Sequence, residues 1–489
     1  MTQSIGRRQT LERIAGSTLD VLIIGGGIVG AGIARDAAMR GLSVALVEQH
    51  DFASGTSSRS SRLLHGGLRY LAQGRIGLVR DSSHEKMILH RIAPHLARAM
   101  PFIFPTYRGT SWKRWKLSIG VKIYDLLCGK SNLGSSSSLN ANKTLALLPG
   151  LRKENLTGAV RYFDGLTQDA RLVLDSLRSS AAHGAYVANH VEFKGADRSG
   201  DRWHCQLQGS ESGASITAES RIVINAAGAW ASRFPQSKVK LRLTKGVHLI
   251  IDRDRLPVPE TVVMTEGPRI LFAIPWGQRV ILGTTDTDYD GPLEHPTCEP
   301  QDVQYILGVT NGAFPAAHLH AGDVISTYAG LRPLIADPNG RPSDISRAHQ
   351  IIAGDDGWID VAGGKLTAYR LMAEQTIDKV VRHLERDARA CQTAQTPLLQ
   401  SQDAKFSGVE PPQVSQAAVE HFCRNEWALH LEDVMLRRAG WHFYHRDAAQ
   451  IAGQVAQWMA TELGWTADQI QEELDRYSAS ANCSPHSPR

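Results

Sequence analysis

The sequence predicts an α/β protein: a Rossmann-like dinucleotide-binding domain, a second domain built on an antiparallel sheet (α+β), and a small C-terminal helical domain. Three observations carry this. The stretch from Asp20 to Glu48 reads as strand, glycine turn, helix and second strand. Short strand-type runs follow one another between Leu249 and Gly283 at hairpin spacing. After a stretch rich in Gln, Ser, Pro and Ala at 389–415, the pattern turns helical. A chain of 489 residues can hold two or three such domains.

The first stretch gives each residue type a task. Val21-Leu22-Ile23-Ile24 is the apolar run of a buried strand, and Gly25-Gly26-Gly27-Ile28-Val29-Gly30 follows at once. Gly25 permits a sharp turn, Gly27 lets a pyrophosphate approach the backbone, and Gly30 lets helix and strand pack closely. A helical pattern then runs through Ile33, Ala34, Ala37 and Ala38 to Gly41. Its N-terminus presents free N–H groups and a partial positive charge to phosphates. Ser43 to Val47 is the second strand, and Glu48 at its end can accept from both ribose hydroxyls of an adenosine while repelling a 2′-phosphate. The glycine motif alone leaves FAD and NAD open.

Farther along, Thr56-Ser57-Ser58-Arg59-Ser60-Ser61-Arg62 is linker-like in composition, yet it runs into Leu63-Leu64-His65-Gly66-Gly67-Leu68-Arg69-Tyr70. Hydroxyls and N–H groups at this density can hold a pyrophosphate and the edge of a flavin. A helix is expected over 82–93, ended by Pro94, and a strand over 102–105. Trp112, Trp115, Ile119, Ile123 and Leu126 recur at helical spacing amid Lys113, Arg114, Lys116 and Lys122. Two readings stay open for this stretch, which runs to Gly129: a helix lying in a membrane interface, or one packed on the second domain with a solvated basic face. A Gly/Ser loop at 131–138, a helix at 167–183 and strands at 186–193 and 203–207 come next. Arg221 to Ala227 is a strand ending in small residues as far as Gly228. After the hairpin strands, strand character returns at 324–334 and 358–367, and helix at 367–388. The first nineteen residues hold Arg7, Arg8 and Arg13 but no apolar core, so a short disordered lead-in is expected rather than a secretory signal.

Composition sets bounds. Apolar residues make up 42% and charged residues 21%, an ordinary globular balance. A net charge of +5 is too mild to argue for nucleic acid, but it suits an anionic substrate or an acidic membrane surface. The six cysteines lack C-x-x-C spacing and read as reduced thiols of a cytoplasmic protein. No cysteine cluster or helical histidine pair has metal-ligand spacing, so no metal is expected. No apolar run is long enough to span a membrane.

From Asp20 to Tyr369, and most specifically over Thr56 to Leu71, the chain resembles the FAD-dependent glycerol-3-phosphate dehydrogenases of the glycine-oxidase and D-amino-acid-oxidase superfamily. The run from His430 to Arg438 is similar to that family's C-terminal helical domain. The resemblance implies a discontinuous FAD-binding domain of residues 20–75, 155–234 and 326–388. It also implies a substrate or cap domain of 76–154 and 235–325, a linker at 389–415 and a helical domain at 416–480. It assigns FAD contacts to Gly25, Gly27, Gly30, Glu48, Thr56, Ser57, Ser61, Arg62, His65, Gly66 and Gly67, and further ones to Gly228, Leu331, Gly364, Lys365, Leu366 and Thr367.

The implied reaction takes sn-glycerol 3-phosphate to dihydroxyacetone phosphate, with the C2 hydride going to flavin N5 and electrons to a quinone. It would run peripherally on the inner face of the cell membrane, and a homodimer is a further expectation. The rivals are an oxidase that gives electrons to oxygen, an enzyme for another 2-hydroxy acid or amino acid, and a non-catalytic FAD-binding subunit.

Four residues would carry the chemistry. Arg332, in Gly330-Leu331-Arg332-Pro333, has the planar fork that suits a phosphate and matches the family's substrate arginine. Arg69 matches a second one. His248 is the first choice for the base, because a neutral imidazole titrates near the working pH. His65 is its rival, although its place in the flavin stretch suggests a cofactor hydrogen bond. Lys365, in Gly363-Gly364-Lys365-Leu366-Thr367, would set positive charge where a reduced flavin becomes negative.

Overall fold

Thr18–Ile24 pairs in parallel with Val44–Val47 on one side and with Ser215–Asn225 on the other. Trp358–Gly363 and Tyr186–Ala188 extend this parallel sheet in its two directions. The computed structural model describes residues 6–71, 74–128, 132–210, 213–267, 269–336 and 349–481, the side chains of Arg69 and Ala481 excepted. Parallel strands need cover on both faces, which is why Leu19 to Ile24 are all apolar or locally paired. Val21 and Ile23 point into a core shared with helices Ile28–Met39, Asp169–Ala182 and Tyr369–His383. Leu19, Leu22 and Ile24 point the other way, against Phe193, Trp203 and Trp358.

The second sheet is largely antiparallel. Leu241–Asp252 pairs with Arg279–Gly283 and, along nearly its whole length, with Val324–Ile335. Hairpin partners Arg269–Trp276 and Thr261–Glu266 follow, then Arg98–Tyr107 and Leu156–Leu166. Alternation again sorts the faces. Val247, Leu249 and Ile251 pack with residues of helix Pro300–Ala313, while Ile250, Val263, Ile274 and Ile281 lie in a core shared with helix Arg114–Cys128 and Phe443.

The structure departs from expectation in several places. The strands 156–166 and 324–335, expected with the FAD-binding domain, belong to the second sheet. A strand's own periodicity names its buried face but not its partner. The strand expected over 186–193 is two, 186–188 and 191–199, because His190 adopts a left-handed φ of 50°. The expected lead-in forms helix Arg7–Gly16, with Ile14 buried and Arg7 donating to the His190 carbonyl. The expected linker is pinned. Arg35 donates to the carbonyls of Thr393, Thr396 and Pro397, and Trp276 Nε1 donates to Val409 O at 2.8 Å. The helix expected at 82–93 begins earlier, at Ile76. Beyond the pinned stretch, helices Gln416–Asn425, Ala448–Leu463 and Ala467–Ala481 form the C-terminal layer.

Candidate active site

A cavity of about 530 Å³ opens at the C-terminal ends of the parallel strands and reaches the second sheet. Ligands of open α/β sheets collect at such strand ends. The glycine turn forms one end. A Cβ on Gly25 would lie 2.6 Å from Ala226 O, and one on Gly30 would lie 2.0 Å from Gly25 O. These two glycines shape the turn, Gly30 by approaching the turn's own carbonyl rather than the strand. A Cβ on Gly27 would meet only Ser57 Oγ, at 3.2 Å, so Gly27 is the one that leaves room for a ligand. Gly27 precedes helix 28–39 without a side-chain cap, and Ile28 N–H donates to Ser57 Oγ at 3.0 Å.

Glu48 also faces this end of the cavity. Its Oε2 accepts from Gly26 N–H at 2.7 Å and its Oε1 from His50 N–H at 2.9 Å, which leaves lone pairs for hydroxyls. Burial pushes its pKa up, while the two N–H bonds oppose that shift. Uncapped helix N–H groups, a bare Gly27 and an acceptor-only carboxylate together fit the adenosine pyrophosphate half of FAD.

The other end is built where the sheets meet. Thr56 Oγ1 donates to Leu331 O at 2.6 Å, tying the hydroxyl-rich stretch to strand 324–335. Thr367 Oγ1 accepts from His65 N–H at 3.1 Å. Gly363 and Gly364 have φ of 73° and 86°, which L side chains rarely adopt, so the backbone there comes bare to the cavity. Lys365 Nζ sits 4.0 Å from the centre of the Tyr70 ring and 3.5 Å from Ser82 Oγ.

Two neighbouring strands of the second sheet bring His248 and Arg332 to the same cavity. Gly246 and His248 lie on one face of strand 241–252, two residues apart. Across from them lie Gly330 and Tyr328, with Arg332 one step on. His248 is buried, its ring stacked on Tyr328 at 4.7 Å and its Nε2 2.8 Å from Ser61 Oγ. Burial, with help from Arg332 and Arg62, holds its pKa well below the usual histidine value, so the ring is neutral at pH 7. Arg332 Nη1 lies 3.1 Å from Asp286 Oδ1, and its Nη2 donates to Thr284 Oγ1 and Thr285 O. Gly246 makes room for it, since a Cβ there would be 2.2 Å from Arg332 Nη2.

The cavity thus gathers Gly25, Gly27, Glu48, Thr56, Ser57, Ser61, His65, Gly228, His248 and Leu331, together with Arg332 and Gly364 to Thr367. Other expected contacts lie elsewhere. Arg62 takes a left-handed φ of 58° and turns into the core, 4.2 Å from the Trp276 ring centre and 4.0 Å from Asp169. Gly66 donates its N–H to Tyr124 Oη at 2.7 Å, and Gly67 packs against Tyr70. Arg69 is in the short helix Leu68–Leu71, but its side chain is outside the described residues.

Sequence reasoning passed over two contributors, Tyr328 beneath His248 and the Thr284–Asp286 segment around Arg332, and gave no site role to a third, Asp169, although Asp169-Ala170-Arg171-Leu172 matches the family. Asp169 is buried, lines the cavity and accepts from Ser60 N–H at 2.9 Å.

Residues 20–370 match the model of the FAD dependent oxidoreductase family, and residues 375–470 match the C-terminal domain of alpha-glycerophosphate oxidase. The chain is 35% identical to a glycerol-3-phosphate dehydrogenase of Mycobacterium leprae, over 97% of this chain and 90% of the relative. It is 37% identical to an aerobic glycerol-3-phosphate dehydrogenase of Staphylococcus aureus, over 79% and 71%. The solved glycerol-3-phosphate dehydrogenase of Bacillus halodurans, complexed with FAD, superposes with a TM-score of 0.79 at 29% identity, over 99% of this chain and 98% of that one. With a cradle that fits a dinucleotide and relatives that share nearly its whole length, the chain belongs to the FAD-dependent oxidoreductases, among the glycerol-3-phosphate dehydrogenases.

Proposed function

We propose that the protein oxidises sn-glycerol 3-phosphate to dihydroxyacetone phosphate and passes the electrons to a membrane quinone. The observation that carries this is the pairing of a neutral buried His248 with Arg332 on the adjacent strand, both facing one cavity. When bound, FAD supplies the acceptor for the hydride from C2. Arg332 holds the substrate phosphate through its planar fork, displacing the carboxylate of Asp286. His248 Nε2 takes the proton of the C2 hydroxyl once that hydroxyl replaces Ser61 Oγ as its partner, its ring held by Tyr328 on its face. Lys365 sets positive charge at the glycine turn that ends strand 358–363. The names carried by the relatives support this substrate.

A quinone as acceptor is supported by helix 114–128. Its inward face holds Leu117, Val121 and Tyr124, while Trp115, Ile119, Ile123 and Leu126 are exposed, Leu126 by 79%. Lys113 and Lys116 flank them in solvent, and Lys122, also exposed, donates to Ser136 O at 2.7 Å. An exposed apolar stripe beside lysines suits an anionic lipid surface, where lysines reach the headgroups. Trp112 stands apart from the stripe, half-buried 5.2 Å from Phe104. No helix among the described residues is long and apolar enough to cross a membrane.

The test is anaerobic. Added sn-glycerol 3-phosphate should bleach the flavin's blue absorption band, and unphosphorylated glycerol should do so far more slowly. A flavin that stays oxidised would refute the substrate assignment, and stoichiometric peroxide on readmitting air would favour the oxygen-using alternative.

A further inference from the structure

The C-terminal helical layer has no group in the cavity, yet it is bolted to the loop that carries Glu48. In that loop Glu48, Gln49, His50 and Ala53 face the cavity. Asp51 and Phe52 between them point the opposite way and are buried, at 1% and 0% exposure. Phe52 meets Trp427 edge to face at 5.5 Å. It also occupies the space beside Gly26, where a Cβ would lie 2.6 Å from its ring. Ala53 N–H donates to Gly26 O at 3.0 Å, so the loop and the glycine turn hold each other.

Asp51 is the loop's anchor. Its Oδ1 accepts from Asn189 Nδ2 at 3.0 Å and from Arg438 Nη2 at 2.8 Å, and its Oδ2 accepts from both Arg437 Nε and Arg438 Nη1. Arg438 is fully buried and also donates to Glu426 O, while Arg437 is held by Asp433 at 2.7 Å. Asp51, His190 and Asp433 stand close enough to hold a metal ion. The two carboxylates, however, already face two guanidiniums, so the cluster is an ionic bridge.

From this geometry we infer that the Asp51–Arg437–Arg438 bridge is a cofactor-retention clamp. The C-terminal layer fixes the 48–55 loop in the shape that presents Glu48 to the adenosine ribose and closes over Gly26. Asp51, Arg437 and Arg438 are positioning residues, because none touches the cavity. A loop fixed in its binding shape leaves less ordering to be done when the dinucleotide arrives. The clamp concerns FAD alone and does not depend on which alcohol is oxidised.

A matched control separates this from simple stabilisation. Glu426, fully buried, bridges the same two layers through Arg171 Nη1 and Nη2; its carboxylate has no hydrogen bond to the loop, and its link to Arg438 runs through its backbone carbonyl, which Glu426→Gln keeps. Asp51→Asn and Glu426→Gln each neutralise one buried acid across the same interface, and both should lower the thermal midpoint. The rate of FAD release, followed by the rise in free-flavin fluorescence on dilution of the holoenzyme, should increase about tenfold or more for Asp51→Asn and less than about twofold for Glu426→Gln. Equal rates for the two variants, or an unchanged rate for Asp51→Asn, would overturn the inference. Should Asp51→Asn fail to fold, Arg437→Met keeps Arg438 in place and should still speed release. In the unaltered protein, adding FAD to the apoprotein should slow amide exchange across 433–438, and unaltered exchange there would count equally against the clamp.

Discussion

Gly246→Ala should abolish phosphate recognition while leaving the fold standing. Gly246 has an ordinary extended backbone, and its added Cβ would lie 2.2, 2.6 and 2.7 Å from Arg332 Nη2, Cζ and Nη1. The clash is with the tip of a flexible side chain, so the guanidinium moves rather than the strand. It then loses its bonds to Thr284 Oγ1 (3.0 Å), Thr285 O (3.2 Å) and Asp286 Oδ1 (3.1 Å). At about 0.5–1.5 kcal/mol each, partly remade elsewhere and offset by the ~0.4–1 kcal/mol that alanine gains over glycine in the unfolded chain, the net cost is about 1–2 kcal/mol. Catalysis should suffer more. Two charge-assisted bonds to a phosphate, about 1.5–3 kcal/mol each, correspond to a loss of roughly 10²–10⁴ in kcat/KM. The assay is turnover of sn-glycerol 3-phosphate against glycerol, with thermal unfolding alongside. Turnover of glycerol should change by less than about threefold, and Arg332→Ala added to Gly246→Ala should cost little more. Retained preference for the phosphorylated substrate, or equal losses on both, would refute the reasoning.

His248→Gln should lower the rate of flavin reduction by about 10²–10⁴ with FAD content unchanged, and a loss under tenfold would remove it as the base. On helix 114–128, Ile119→Glu with Leu126→Glu should cut binding to anionic vesicles by at least ~tenfold while turnover with a soluble acceptor persists; unaltered sedimentation with vesicles would dispose of the lipid surface. Acid should weaken the fold before the carboxylates titrate. His90 and His442 are pushed by burial to about 4, and His248 is also lowered. A depressed folded pKa means that the unfolded chain takes up the proton first. The stability is therefore full above the unfolded value of 6.5 and drains away as pH falls toward 4, by up to about 3 kcal/mol for each of His90 and His442. A thermal midpoint that is flat between pH 7 and 5 would contradict this.

The part of the molecule legible in the sequence is the part made by near neighbours. Val21 to Ile24, the glycine turn and Glu48 lie close in the chain, and their chemistry needs only the strand–turn–helix geometry that local pattern supplies. His248 and Arg332 could be named one at a time. That they stand on adjacent strands depends on the register of 241–252 against 324–335, which is set by packing between distant segments. The same register sets Gly246 against the Arg332 guanidinium and puts Tyr328 under the imidazole, and no spacing in the sequence encodes either. Arg62 shows the converse limit. It sits in the most family-like stretch, but a left-handed backbone turns its guanidinium onto Trp276 and away from the cavity. The docking of the C-terminal layer was illegible for a related reason: its buried arginines meet partners such as Asp51, nearly four hundred residues earlier in the chain.

The arrangement of charge around His248 has a mechanistic logic of its own. A base must be neutral before the alcohol arrives and cationic after it has reacted. Burial and the two nearby guanidiniums hold His248 neutral in the free protein. Arg332 is the one of these two cations that lines the cavity, and it is the group proposed to receive the phosphate. A phosphate dianion there cancels the charge that depresses the imidazole, so the affinity of His248 for a proton rises when a phosphorylated alcohol is bound. Arg62, enclosed by Trp276, Tyr328 and Phe443, is beyond the substrate's reach and keeps its influence throughout. Under the proposed roles, the residue that selects the phosphate also adjusts the base: an unphosphorylated alcohol would meet a poorer proton acceptor as well as a weaker grip.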